Sequence, residues 1–254
     1  MTLDILSFLQ QQGKSRRWII TQLQDGLISK NGQIIQHRKE PLTIGDKVTF
    51  DDGQTTWDWT VQEANNKTDG TIILYNKPVW CVVSKADAHN RTIYDLLPPE
   101  RKDKYIYIGR LDKDSRGLLV LTDVPELVSF FSHPRNVHEK TYIITTRHPL
   151  SEADRIDGKK GLVYVDHDTN EETLLSWISC TPYGMDKQWY SKYKVILTSW
   201  KKRHIRRLCE MLDNDILDLQ RIGFGPWELN TKMKPGTWET IVLHSEDLEN
   251  LLAS

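Results

Sequence analysis

The eight-residue stretch E-A-N-N-K-T-D-G at 63–70, with no large apolar side chain, interrupts a chain that otherwise keeps returning to short apolar runs. A stretch with neither helical nor strand periodicity has no face to bury, so it reads as a linker rather than as part of a core. The 254 residues are therefore expected to fold as two units, 1–63 and 71–254, joined by a linker at 64–70.

The first unit opens with two short helices. Leu3, Leu6 and Leu9 recur at helical spacing, Gly13 can end that helix, and Ser15 can cap a second one in which Trp18, Ile19, Gln22 and Leu23 share a face. Asp25-Gly26 stops it. Ile28 to Ile35, interrupted by Asn31-Gly32, reads as a hairpin, and Lys47 to Phe50 alternates as a strand. Beyond the linker, strand-like runs dominate at 71–75, 79–84, 104–108, 117–122, 140–146, 161–165, 172–180, 188–198 and 215–222. Helical patterns interrupt them near 92–97, 125–132, 151–157 and 203–213. The fold class is α+β: a small N-terminal α+β module, then a larger domain on a mixed, mainly antiparallel sheet with flanking helices.

Lys plus Arg number 34 against 35 Asp plus Glu, so a polyanion site must be local rather than a property of the whole surface. The three cysteines are far apart and lack C-x-x-C spacing, which argues against a disulfide framework or a zinc site. No metal-ligand spacing among the eight histidines and no glycine-rich phosphate loop is present, so neither a metal nor a nucleotide cofactor is implied. Without an apolar leader or an 18-residue apolar run, the expectation is a cytoplasmic protein with no membrane partner, working as a monomer.

Two charged clusters remain. G-R-L-D-K-D-S-R-G-L-L at 109–119 places two carboxylates and two arginines in a loop between strand-like runs, where an Asp beside Arg stays ionised and competent as nucleophile or base; an ordinary charged turn has the same composition. S-W-K-K-R-H-I-R-R-L-C-E-M-L at 199–212 holds five Lys or Arg within 201–207. Read as a helix from 203, its arginines lie at the end where the macrodipole disfavours cations, so they call for a phosphate or a facing carboxylate, unless they form a solvated face. A weaker cluster, Lys14, Arg16 and Arg17, opens the second helix of a unit whose net charge is near zero.

G-R-L-D-K-D-S-R-G-L-L-V-L-T at 109–122 resembles the signature of the RsuA/RluB-type ribosomal RNA pseudouridine synthases. Other blocks agree in order: Y-N-K-P at 75–78, H-E-K-T-Y at 138–142, R-H-I-R-R-L at 203–208 and L-x-R-I-G-F-G at 219–225. Residues 1–63 resemble the small RNA-binding module shared with a small-subunit ribosomal protein, through G-K-S-R-R at 13–17 and D-G-L-I-S-K-N-G at 25–32. The resemblance implies a catalytic Asp112, a Tyr142 that packs on the target base, and an Arg206 that pairs with the aspartate. It implies ribosomal RNA as partner, uridine isomerisation as the reaction, and no cofactor. Lys14, Arg16, Arg17, Lys77, Arg110, Lys201, Lys202, Arg203 and Arg207 are the candidate RNA contacts. By resemblance alone, the 178–193 segment looks closer to the RluB-like, large-subunit branch; a small-subunit target, or a non-catalytic RNA-binding assembly factor, is the alternative. Departures from the family pattern are Trp80 in place of Gly, Ser199-Trp200 in place of Glu-Gly, His204 in place of Gln, and Val124-Pro125 in place of Asp-Gly. They bear on the loops that would face RNA and so on which uridine is chosen.

Overall fold

The computed structural model describes residues 3–12, 14–61, 70–133, 135–166, 169–199 and 201–253. It divides at 68/69 into two compact units. Of the expected linker, 64–69 lie outside the described residues, as do Gly13 and Trp200, while Gly70 opens a strand.

In the first unit, Asp4 caps α1 (Ile5–Gln11) by accepting from the Ser7 amide, and Ser15 caps α2 (Arg16–Gln24) by accepting from the Trp18 amide. The helices pack with an antiparallel sheet of order β2-β1-β3-β4, formed by β1 (Ile28–Lys30), β2 (Gln33–Ile34), β3 (Lys47–Asp51) and β4 (Thr56–Thr60). Asn31 and Gly32 both take positive φ, the requirement of the two-residue turn that the N-G pair predicts. Ile5, Leu9, Ile19, Leu23, Ile28 and Val48 form its core. The strand β4, T-W-D-W-T, was not expected from the pattern. It is almost wholly exposed, so pairing with β3 rather than burial defines it.

The second unit begins with β5 (Gly70–Lys77). A 3₁₀ turn at Tyr94–Leu96 and a short α3 (Pro99–Lys102) lead to β6 (Ile106–Ile108) and β7 (Arg116–Thr122). Then come α4 (Pro125–Ser132), β8 (Lys140–Thr146), α5 (Glu152–Lys160), β9 (Leu162–Val165), β10 (Glu172–Leu175), β11 (Ser179–Met185) and β12 (Ser191–Leu197). The chain ends in α6 (His204–Met211), β13 (Ile216–Phe224), β14 (Trp227–Glu228), β15 (Trp238–Leu243) and α7 (Ser245–Ala253). Nine strands make one sheet, in the order β11-β12-β8-β13-β7-β5-β15, with β6 beside β7 and β14 beside β13. Only β13 and β7 pair in parallel.

The central strands β5, β7 and β8 are buried on both faces, whereas β11 and β15 at the edges are mostly exposed. Ile73, Tyr75, Leu119, Leu121 and Ile144 enter one core, while Ile72, Leu74, Leu118 and Val120 enter the other, which α4 closes with Leu127 and Phe131. A strand buried on both sides reads as a continuous apolar run, which is how 71–75 and 117–122 read in the sequence. The expected strand at 79–84 does not form. Pro78 has no amide to donate, and the amides of Trp80 and Val82 bond instead to Lys113 and Arg91 carbonyls. The expected strand at 172–180 is two strands, and β15 with α7 adds an edge strand and a helix that the pattern did not indicate.

Candidate active site

The charged loop 109–116 connects β6 to β7, which pair as an antiparallel hairpin, so both its ends are fixed in the sheet. Within it the Ser115 amide bonds back to the Asp112 carbonyl at 3.1 Å, closing a turn. Gly117 leaves the loop at φ 101°, and a Cβ there would lie 2.2 Å from the Arg221 carbonyl oxygen. The close approach of β7 to β13 therefore requires glycine at this point.

Three cations hold the loop. Lys77 ends β5 wholly buried, and its Nζ donates to the carbonyls of Pro78 (3.0 Å), Asp112 (3.1 Å) and Ser115 (2.7 Å). Burial pushes its ammonium below the usual lysine range. Arg206, in the first turn of α6, donates to the carbonyls of Asp114 and Ile216, both at 3.1 Å, and pairs with the Asp114 carboxylate at 3.3 Å. Arg116 makes a two-pronged pair with Asp218 of β13, both bonds 2.8 Å. The Asp112 carboxylate is half-buried, and among the described residues no hydrogen bond or ion pair reaches it.

The structure changes several expected roles. Arg206 pairs with Asp114, not with Asp112. Arg203 caps α6 in a left-handed conformation and also reaches Asp114, at 3.3 Å, so one carboxylate draws both guanidinium groups away from Asp112. Burial lowers the Arg206 pKa; Asp114 is the largest opposing charge, with Asp112 a weaker one. Arg206 thus lies within electrostatic reach of Asp112 without touching it.

Tyr142 of β8 is buried in the core beside Arg221, its register partner on β13, rather than presenting an open ring. Burial raises the phenol's pKa, and the Arg221 charge opposes that. Asp112 is close enough to Tyr142 to be felt electrostatically.

Among the expected RNA contacts, Lys77 is interior and bonded to three carbonyls. Arg207 pairs with Asp166 at 2.9 Å and lies over the Tyr164 ring. Lys201 donates to the Leu174 carbonyl, and Lys14 sits 3.4 Å from the centroid of the Trp57 ring, with Trp18 and Trp59 nearby. Arg16, Arg17, Arg110 and Lys202 are exposed. The pattern gave no role to Asp114, Asp218 or Arg221; an Arg beside Ile222 in a strand-like segment was the available signal for the last of these. No group of three or more His, Cys, Asp or Glu side chains suited to a metal ion occurs among the described residues.

The family model described as RNA pseudouridylate synthase matches residues 71–211, which include β5, the 109–116 loop, β8 and α6. The chain belongs to the RNA pseudouridylate synthase family. It is 27% identical over 245 residues to the ribosomal large subunit pseudouridine synthase B of Xanthomonas campestris pv. campestris, covering 94% of this chain and 46% of that protein. A protein of the same name from Buchnera aphidicola subsp. Schizaphis graminum is 28% identical over 256 residues, covering 99% of this chain and 94% of that one. The chain thus spans less than half of the Xanthomonas relative but nearly the whole of the Buchnera one. A crystal structure of a pseudouridylate synthase superposes with a TM-score of 0.61 at 22% identity, covering 98% of this chain and 100% of that one, which supports the fold. No helix among the described residues is long and apolar enough to cross a membrane.

Proposed function

We propose that this chain converts a uridine of large-subunit ribosomal RNA to pseudouridine, with Asp112 as the reacting group. The observation that carries the reading is the contrast within one loop. The backbone and neighbouring charges of 109–116 are fixed by Lys77, Arg206 and Arg116, while the Asp112 carboxylate keeps all its lone pairs for a substrate.

The reaction breaks the bond from ribose C1′ to N1 of uracil, joins C1′ to C5, releases the C5 hydrogen to solvent as a proton and leaves N1 carrying a proton, so the product is an isomer of the substrate. Nothing is oxidised and no group is gained, so a carboxylate suffices. Asp112 either attacks C1′ or removes a ribose proton to give a glycal. The uridine must leave its stack to reach the loop. Tyr142, buried beside its register partner Arg221, serves as the floor of the base site. Arg16 and Arg17 of the N-terminal unit, with Arg110 and Lys202, supply phosphate contacts, which fix register without reading sequence.

The large-subunit assignment is supported by the names of the relatives. It is tested with transcripts of large- and small-subunit ribosomal RNA carrying C5-tritiated uridine. Stoichiometric tritium release from the large-subunit transcript is expected. Release from the small-subunit transcript alone would move the target, and release from neither would leave a binding protein.

A further inference from the structure

Six non-glycine residues take positive φ among the described residues, and three of these are Asn or Asp, the types that tolerate it best. Trp80 is one of the others, with φ 66°. A bulky aromatic side chain rarely adopts this conformation, so the surroundings must impose it. What imposes it here is the catalytic loop, because the Trp80 amide donates to the Lys113 carbonyl at 2.7 Å, one residue from Asp112. On its N-terminal side, Pro78 is held by Lys77, the same ammonium that holds Asp112 and Ser115.

The ring gains nothing from the core in return. Trp80 is 70% exposed, and among the described residues its indole has no hydrogen bond and stacks on no ring or cation. The surroundings are basic. Arg91, whose carbonyl takes the Val82 amide, is exposed, and Lys113, whose carbonyl takes the Trp80 amide, reaches across to Asn90. Asp87 is turned into its own loop by the His89 and Asn90 amides.

We propose that Trp80 is the stacking platform for a nucleobase flanking the target uridine, a subsite that helps decide which uridine reaches Asp112. This rests on the RNA-isomerase reading above. An exposed indole fits a nucleobase because both present flat π-faces and stacking is indifferent to hydrogen-bonding edges, while the nearby cations suit the phosphates on either side. Extruding the uridine leaves its neighbour without a stacking partner, and Trp80, tied to the same loop, stands where that neighbour needs one.

The test uses the full chain, its Trp80→Gly and Trp80→Phe forms, and transcripts of large-subunit ribosomal RNA carrying C5-tritiated uridine. Glycine accepts the positive φ, so Trp80→Gly removes the ring while relaxing the backbone, and thermal melts confirm folding. RNA affinity by filter retention and KM by tritium release are expected to weaken about tenfold in the Gly form, with the larger part of the loss in KM, and the Phe form to recover most of it. In a short transcript spanning the mapped site, an abasic nucleotide beside the uridine is expected to erase the difference between the parent and Trp80→Gly. Unchanged affinity and KM in Trp80→Gly would overturn the proposal, as would losses from the variant and the abasic nucleotide that simply multiply. A parent chain that binds RNA but releases no tritium would overturn the isomerase reading instead, while the filter measurement still decides the role of Trp80.

Discussion

Lys77 and Arg206 reach the 109–116 loop from two sides and are bonded to its main-chain oxygens, whereas Arg16 and Arg17 at the start of α2 are exposed to solvent. The same residue types thus do opposite things in the two units. Around Asp112, cations are buried and paired so that one carboxylate is held in place with its own oxygens unengaged. In the N-terminal unit, they stand where the macrodipole disfavours them, a position that an external anion would relieve. Lys14 is intermediate, its ammonium against the Trp57 ring. Cations bonded to the main chain of a loop and cations exposed to solvent are told apart by burial and partners, not by sequence.

The sharpest way to break this contrast is at Lys77. Lys77→Met removes the ammonium and leaves three carbonyls facing an apolar side chain. A destabilisation of roughly 2–4 kcal/mol is expected, with a fall in turnover of about 10²-fold or more because the loop is no longer pinned. Denaturant melts and single-turnover assays read the two effects. A variant of unchanged stability and rate would show that Lys77 does not organise the loop.

A smaller effect of a different kind is expected from Arg16→Gln combined with Arg17→Gln. Stability should stay within about 0.5 kcal/mol, since both side chains are exposed and neither has a side-chain partner among the described residues. RNA affinity should weaken, and the slope of log affinity against log salt should flatten by up to about two, one per lost phosphate contact. An unchanged slope would make this edge of the unit a bystander.

Much of this was legible in the sequence, for physical reasons that also explain the rest. Strands such as 117–122 and 140–146 were readable because burial on both faces leaves a continuous apolar run, and the N-G turn because only certain residues accept positive φ. The 109–116 loop was readable from its G-R-L-D block. The partner of Arg206 was not, because helix position fixes which side of α6 an arginine leaves from but not which of two carboxylates, Asp112 or Asp114, lies nearest. Lys77 read as a surface cation because lysine is almost never fully buried; its burial depends on three carbonyls brought together by the sheet. The run at 79–84 has the composition of a strand, but its amides are taken by Lys113 and Arg91, which are distant in sequence.

The central claim is that the one carboxylate this loop leaves unpaired performs the chemistry. The most direct measurement is tritium release from C5-labelled large-subunit ribosomal RNA by the parent chain and by Asp112→Asn, at matched RNA occupancy. An amide neither attacks C1′ nor takes a proton, so the account predicts that the variant binds RNA, melts as the parent does, and releases label about 10³-fold more slowly or not at all. Undiminished release by the variant would remove Asp112 from the reaction and contradict the account.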